Sequence, residues 1–339
     1  MDENKNYKWV VARRPKGKPT KKDFELVKSE IPVISDGEVL LKTRYLGLAP
    51  VMRMYMQGNP TAGEKSLNIG DIIHGRGVAE IIESRNPDYK VGEIVQGQIG
   101  WQSYKASKLS FSEKFFNCPD KGINYAHYTA TLGMTGLSAW GGFLDCGQPK
   151  EGNVVVVSGA AGGVGSIVVQ LAKIYGCKVI GIAGSEEKCF WLSELGVNEV
   201  INYKKENVCT RLGQLCPSGI DIYFDNVGGK IADDVISNIA PFARIGVCGV
   251  ISQYNLTQAE LGQRVQRAIL TNQASIEGFL VFRFEQRYNI AIKKMSKWLQ
   301  EGKIIWKEDI VEGIENAPKA FIGLMKGENF GKLLVKVKL

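Results

Sequence analysis

The stretch Gly159–Lys188, GAAGGVGSIVVQLAKIYGCKVIGIAGSEEK, decides the fold. Before it stands Val154–Val157, a wholly apolar β-branched run that reads as a strand buried on both faces. Gly163–Tyr175 then places Ile167, Leu171 and Ile174 on one helical face, and Lys178–Ala183 is a second apolar strand. Between strand and helix lies Ala160-Ala161-Gly162-Gly163-Val164-Gly165. A glycine loop that follows a strand and opens a helix is the setting of a dinucleotide fingerprint. Gly162 lets the backbone approach a pyrophosphate, and Gly165 permits close packing of helix on strand. With Gly163 and Val164 these residues surround the helix amino terminus, where free N–H groups and the helix dipole face an anion. The first fingerprint position is Ala160 rather than glycine, so a plain Gly-rich turn is the competing reading of the loop alone.

The far end of the stretch refines the ligand. About 20 residues after such a loop an acid ordinarily binds the ribose 2′-hydroxyl of NAD. Gly184 occupies that place, and Lys188 follows one helical turn on. Without the acid a 2′-phosphate is not repelled, and Lys188 can pair with it, so the sequence points to NADP(H). Glu186 is the one acid near enough to serve NAD. Its position in the first turn of a helix capped by Ser185, together with Glu187, is explained by the helix dipole alone. Taken singly, Lys188 also reads as a solvated surface lysine.

Outward from this stretch the alternation continues. Strands are expected at Glu199–Asn202, Ile220–Asp225 and Arg244–Cys248, with a helix at Ile231–Ile239 and another at Tyr288–Gln300. Continuous apolar strands alternating with helices predict a doubly wound parallel sheet covered on both faces. Residues 1–124 differ: short β-like runs such as Glu38–Arg44, Val78–Ile82 and Glu93–Gln96 alternate with turn signals and predict a mostly β domain. The tail Phe330–Val337 is strand-like again and is expected to return to that domain. The expected division is therefore 1–124 completed by about 305–339, with 125–304 between, an α/β protein of two domains, as a length of 339 residues suggests.

Composition narrows the function class. An apolar fraction of 44% with 9% aromatics is ordinary for a globular chain. A formal net charge of +8 favours an anionic partner, either nucleic acid or an anionic cofactor. The charge-free stretches Ile123–Leu144 and Asn153–Ala172 are broken by glycines and polar residues, so no membrane span is expected. Seven scattered cysteines without a C-x-x-C argue against a disulfide framework or a cysteine-rich zinc site. Reduced thiols and a cytoplasmic protein are expected. With His74 and His127 as the only histidines, no His-rich metal site is expected, and His74 lacks the following acid of a catalytic zinc segment. No G-x-S-x-G elbow occurs. Tyr104 and Lys108 fit the Y-x-x-x-K spacing of short-chain reductases but precede the glycine loop, the wrong side for that chemistry.

Several further segments, GWQSYKAS (100–107), LGMTGLSAW (132–140), LDCGQPKEG (144–152), IDIYFDNVGGK (220–230), CGVISQYN (248–255) and KGENFGK (326–332), complete a pattern. Over nearly its whole length the chain resembles the zinc-free group of the medium-chain dehydrogenase/reductase superfamily, which holds leukotriene B4 dehydrogenases, prostaglandin reductases, plant alkenal reductases and bacterial curcumin reductases. The resemblance implies a GroES-like domain and a Rossmann domain. It implies that Gly162–Gly165 hold the pyrophosphate of NADP(H) and that Lys188 and Tyr203 bind the 2′-phosphate. Asn226 and Cys248, Gly249, Val250, Ile251, Ser252, Gln253 and Tyr254 would line the ribose and adenosine. Phe279, Leu280 and Val281 would pass along the nicotinamide, a segment that reads equally as a sixth core strand, and Asn329 would reach the nicotinamide from the tail. The family's Asp-Pro-Tyr-Met-Arg is here Ala49-Pro50-Val51-Met52-Arg53, so Val51, Arg53 and Tyr55 are the expected substrate-pocket residues and Val51 is a departure.

The implied reaction is NADPH-dependent reduction of the C=C bond of an enone or enal, with Tyr254 as the catalytic group that holds the enolate oxygen. A quinone is the alternative substrate. A different class, a basic RNA-binding or scaffold protein, would need a basic face with exposed aromatics. The basic tract Arg13–Lys22 is broken by Pro15, Gly17 and Pro19 and holds no aromatic, so no nucleic-acid partner is expected. A homodimer is the oligomer the resemblance implies.

Overall fold

The computed structural model describes residues 2–58, 65–110, 115–118 and 123–338. The chain divides into two compact units, Met1–Gly133 with Glu308–Leu339, and Met134–Lys307.

The first unit carries β1 (Lys5–Val11), β2 (Phe24–Glu30), β3 (Val39–Gly47), β4 (Arg76–Ser84), β5 (Ile94–Gln98), β6 (Tyr104–Ser107) and β7 (Phe116–Asn117), with the single-turn helix α1 (Met52–Tyr55) after β3. Strands β1 and β2 form an antiparallel pair. The others join a seven-stranded sheet that includes two strands from the end of the chain, described below. Alternation of apolar and polar residues in β3 and β4 buries Val39, Leu41, Ala79 and Ile81 with Val95 and Ile99 in one core. The unit runs on to Gly133, later than the sequence suggests. The 3-10 turn Tyr125–Thr129 packs on β3 and β4, and the Gln96 side-chain amide donates to Leu132 O at 3.2 Å. A methyl group on Gly133 would stand 2.3 Å from Tyr128 O, so the chain turns there with no room for a side chain.

The second unit opens with α2 (Met134–Gly142). It contains β8 (Val154–Ser158), α3 (Gly165–Ile174), β9 (Lys178–Ala183), α4 (Glu186–Glu194), β10 (Glu199–Asn202), α5 (Val208–Leu215), β11 (Ile220–Asp225), α6 (Gly229–Ile236), β12 (Ile239–Val247), α7 (Gln266–Thr271), β13 (Ser275–Gly278) and α8 (Tyr288–Gln300). The sheet is parallel throughout, in the order β10-β9-β8-β11-β12-β13. This is the doubly wound sheet expected, with its order reversing between β8 and β11. Val156, Ile180, Ile201, Tyr223 and Ile245 bury one face against Leu212 and Val235 of the helices. Two expectations shift. The helix expected at Ile231–Ile239 ends at Ile236, and Ile239 already opens β12, which pairs with Ile220. The sixth strand is Ser275–Gly278 and not Phe279–Val281.

The chain then returns to the first unit with β14 (Glu308–Glu312), α9 (Ala317–Leu324) and β15 (Lys332–Lys336). Strand β15 lies antiparallel to β3 and parallel to β14.

Candidate functional site

The glycine loop joins β8 to α3 at the carboxyl end of the sheet. Gly159 takes φ +57° and turns the chain out of the strand. Gly162 N–H then donates to Gly159 O at 3.0 Å, and Ser166 N–H to Gly162 O at 2.9 Å. A methyl group on Gly165 would stand 2.3 Å from Gly159 O and 2.8 Å from Ala160 Cα, so the helix start lies directly on the strand end. Ala160 is buried and ties the loop to β9 through Ile182 O. Gly162, Gly163 and Val164 are half-buried, and no described group accepts from the N–H of Gly163 or Val164. Free donors at the start of a ten-residue helix suit a pyrophosphate.

At the end of β9, Gly184 has a structural cause as well as an electrostatic one. A methyl group there would stand 2.6 Å from the Tyr203 ring. The ring therefore occupies the place where an acidic side chain would start. Tyr203 is held by its N–H, which donates to Ala183 O at 3.1 Å. Ser185 caps α4, its Oγ accepting from Lys188 N–H at 3.3 Å. Burial, and after it the charge of Lys204, pushes the Lys188 ammonium below its ordinary pKa. Lys204 is a residue that the sequence reading missed; it directly follows Tyr203 and is exposed. Glu186, the acid nearest to the missing one, is ion-paired with Lys205, which lowers its pKa. Two lysines near a seat without an acid suit a dianionic phosphate.

Asn226 lies just beyond β11. Its N–H donates to Ser158 Oγ at 2.9 Å and its side-chain amide to Ser158 O at 2.8 Å. The segment Cys248–Tyr254 folds against the same turn. Cys248 N–H donates to Asp225 O at 2.8 Å, and Ser252 donates to Val227 O from both N–H and Oγ, at 3.1 and 2.7 Å. Gly228 has φ +70°, and a methyl group on it would meet Val250 at 3.0 Å. Tyr254 is half-buried, and burial raises its phenol above the usual range, with the Val250 amide acting in the opposite direction. A methyl on Gly249 would reach the Tyr254 hydroxyl at 3.4 Å. Ile251 is half-buried and Gln253 exposed. The Cys248 thiol is pushed up to about 12, first by burial, and so is not a ready thiolate.

Phe279 belongs to the core of the second unit. Its ring packs on Phe224 and Phe284 at 5.9 and 5.5 Å and fills the space left by Gly142. Leu280 is 45% exposed, and Val281 starts a 3-10 turn to Arg287, with Val281 O accepting from the Tyr288 hydroxyl at 2.9 Å.

The remaining expected residues lie in the first unit. Val51 immediately precedes α1 and is half-buried. The Tyr55 ring meets His74 edge-on at 5.4 Å. Arg53 is 1% exposed, and its guanidinium donates to Gly17 O and Pro15 O at 2.9 and 3.1 Å. It thus anchors the turns of the basic tract 13–22. Asn329 donates from its side-chain amide to Gly331 O at 2.9 Å. Tyr104 is buried in β6 with its hydroxyl donating to Glu3 O, a structural use of the Y-x-x-x-K tyrosine. Burial lowers the His127 pKa. Among the described residues no group of three or more His, Cys, Asp or Glu side chains is disposed to hold a metal ion, and no helix is long and apolar enough to cross a membrane.

Comparison with known proteins gives the family. Residues 7–115 match the family described as N-terminal domain of oxidoreductase, and residues 163–297 match the family described as zinc-binding dehydrogenase. The chain is 38% identical to the NADPH-dependent curcumin reductase of Escherichia coli over 343 residues, covering 99% of this chain and 98% of that one. It is 41% identical to prostaglandin reductase 1 of Bos taurus over 331 residues, 97% and 98% of the two chains. It is 39% identical to the NADP(+)-dependent 2-alkenal reductase of Nicotiana tabacum over 342 residues, 99% and 98%. Among solved structures, CurA of Vibrio vulnificus in complex with NADPH superimposes with a TM-score of 0.93 at 39% identity, covering 98% and 99% of the two chains.

Proposed function

Since the chain belongs to the zinc-independent reductases of the medium-chain dehydrogenase/reductase superfamily, we propose that it is an NADPH-dependent reductase of the C=C bond of α,β-unsaturated ketones and aldehydes. The observation that carries the reading is the end of β9, where the Tyr203 ring replaces an acid and Lys188 and Lys204 stand nearby. When bound, the reduced nicotinamide supplies the hydride that goes to the β-carbon of the substrate. The N–H groups of Gly163 and Val164 bind the pyrophosphate, and Lys188, Lys204 and Tyr203 bind the 2′-phosphate. Asn226 and the segment Cys248–Tyr254 orient the ribose. Negative charge that grows on the carbonyl oxygen is held by the Tyr254 hydroxyl together with a ribose hydroxyl. Burial keeps that phenol protonated and able to donate. The α-carbon takes its proton from solvent. Val51, Arg53, Tyr55 and Asn329 are the first-unit residues assigned to substrate and nicotinamide recognition. Of these, Arg53 acts through the backbone it anchors.

The test is loss of reduced-nicotinamide absorbance with a panel of enones, enals and quinones, run with NADPH and with NADH. Turnover of enones or enals with strong NADPH preference is expected. Turnover of quinones alone moves the substrate class. Equal use of NADH removes the phosphate role from Lys188. For the assembled protein, a second copy of the chain is the partner we assign to the open edge of β13. Among the described residues that strand pairs only with β12, and it carries Ile276 at 42% exposure close in sequence to exposed Leu270.

A further inference from the structure

The carboxyl ends of β8 and β11 lie side by side at the point where the sheet order reverses. Their last residues are Ser158 and Asp225. Asp225 is 3% exposed, and among the described residues no lysine or arginine pairs with it. Its Oδ1 instead accepts from Ser158 Oγ at 2.8 Å, from the Tyr223 hydroxyl at 2.7 Å, and from the N–H groups of Val227 and Gly228, each at 2.9 Å. Ser158 Oγ in turn accepts from Asn226 N–H at 2.9 Å. The backbone oxygen of Asp225 takes the N–H groups of Cys248 and Gly249 at 2.8 and 3.2 Å.

Burying a carboxylate without a cation is costly unless hydrogen bonds replace its water. Here four donors do so. A negative charge beside a site for an anionic ligand also opposes that ligand. An uncharged side chain would fill the same space without either cost, so the carboxylate is retained for what its hydrogen bonds hold in place. Those bonds run to two segments, and the backbone oxygen of the same residue holds a third. Ser158 leads directly into Gly159 and the glycine loop. Val227 and Gly228 form the turn that carries Asn226. Cys248 and Gly249 open the segment that ends in Tyr254.

We propose that Ser158 and Asp225 are positioning residues for the cofactor. Their side-chain hydrogen bond is a strut that sets the spacing between the pyrophosphate loop and the Asn226 turn. The proposal rests on the reading of this site as an NADPH site. Ser158 and Tyr223 both give a hydroxyl to the same oxygen, but only Ser158 crosses from one strand to the other; Tyr223 sits two residues before Asp225 on β11 itself. The two hydroxyls therefore separate bridging from mere support of a buried charge.

The experiment is NADPH titration by nicotinamide fluorescence of the full chain and of Ser158→Ala, Ser158→Cys and Tyr223→Phe, with melting temperatures alongside. Both Ser158→Ala and Tyr223→Phe lower the melting temperature, since each removes one donor from Asp225. Ser158→Ala raises the Kd for NADPH about tenfold, whereas Tyr223→Phe leaves it within about twofold. Ser158→Cys, which keeps the size with a weaker donor, falls between. In turnover the Ser158→Ala loss falls on the KM for NADPH more than on kcat. Equal affinity of the parent and Ser158→Ala overturns the strut and leaves the NADPH site standing. Equal weakening by Ser158→Ala and Tyr223→Phe also overturns it, because the effect then belongs to the buried charge and not to the bridge. If Ser158→Ala does not fold, parent-like affinity in Ser158→Cys overturns it. Failure of the parent itself to bind NADPH overturns the site reading, and the strut falls with it.

Discussion

At Gly184 a methyl group stands against the Tyr203 ring, which must swing away to admit it. Gly184→Ala is therefore expected to raise the KM for NADPH severalfold while changing that for NADH less, because only the phosphate loses its seat. Lys188→Ala is expected to lower the NADPH-over-NADH preference by about 10- to 100-fold, the worth of a hydrogen bond to a charged group; an unchanged ratio of kcat/KM values removes Lys188 from the phosphate. Tyr254→Phe is expected to slow turnover at saturating NADPH by about tenfold, less than the loss of an unshared oxyanion donor, because a ribose hydroxyl remains. At this scale the sequence was legible where a missing residue carried the signal. The absent acid at Gly184 and the loop glycines read directly. Lys204 did not, because an exposed lysine after a strand resembles any surface lysine until its charge is seen to act on Lys188. Arg53 read as a pocket residue, but burial commits its guanidinium to Pro15 and Gly17, which no local pattern foretells.

Among the elements, α3 depends on its contact with β8. Gly165→Ala drives a methyl into backbone atoms that cannot move aside, and a loss of about 2–3 kcal/mol in urea unfolding is expected. Strand β15 holds a different tension. Lys332 is buried with its Nζ donating to Leu48 O at 2.8 Å, and burial pushes its pKa down to about 8. Glu308, opposite in register on β14, has its own carboxyl pushed up by burial. A free lysine titrates near 10.4. Between those two values the unfolded chain binds the proton more tightly than the folded one, so folding gains stability as the pH rises through that window, and the penalty is complete below about pH 8. Lys332→Met carries no such proton. Its stability relative to the parent is expected to fall by on the order of 2 kcal/mol between about pH 7 and pH 10, read by urea melts. The strands Lys178–Ala183, Glu199–Asn202 and Ile220–Asp225 were legible to the residue, since apolar runs between turns have one reading. The boundary of α6 was not. Val235, Ile236, Ile239 and Ala240 form one apolar series in which helix and strand differ only by the break at Ser237-Asn238.

For the whole molecule, the open edge of β13 leads to an association test. The chain is expected to sediment as a dimer, and Ile276→Lys to shift it toward monomer by placing a charge on the edge. Sedimentation of parent and variant at equal concentration decides it. The expectation of a dimer came only from resemblance, since a four-residue edge strand leaves little pattern in the sequence. The split of the first unit, by contrast, was visible in the strand-like tail. That split sets a timetable for biosynthesis. Strand β3 leaves the ribosome early, but its neighbour β15 is made only after the whole of the second unit. At 5–20 residues per second the wait is roughly 15–60 s. The second unit has all its strands in one continuous segment and is free to fold meanwhile, while the nascent first unit presents an unsatisfied strand to chaperones until β15 is made.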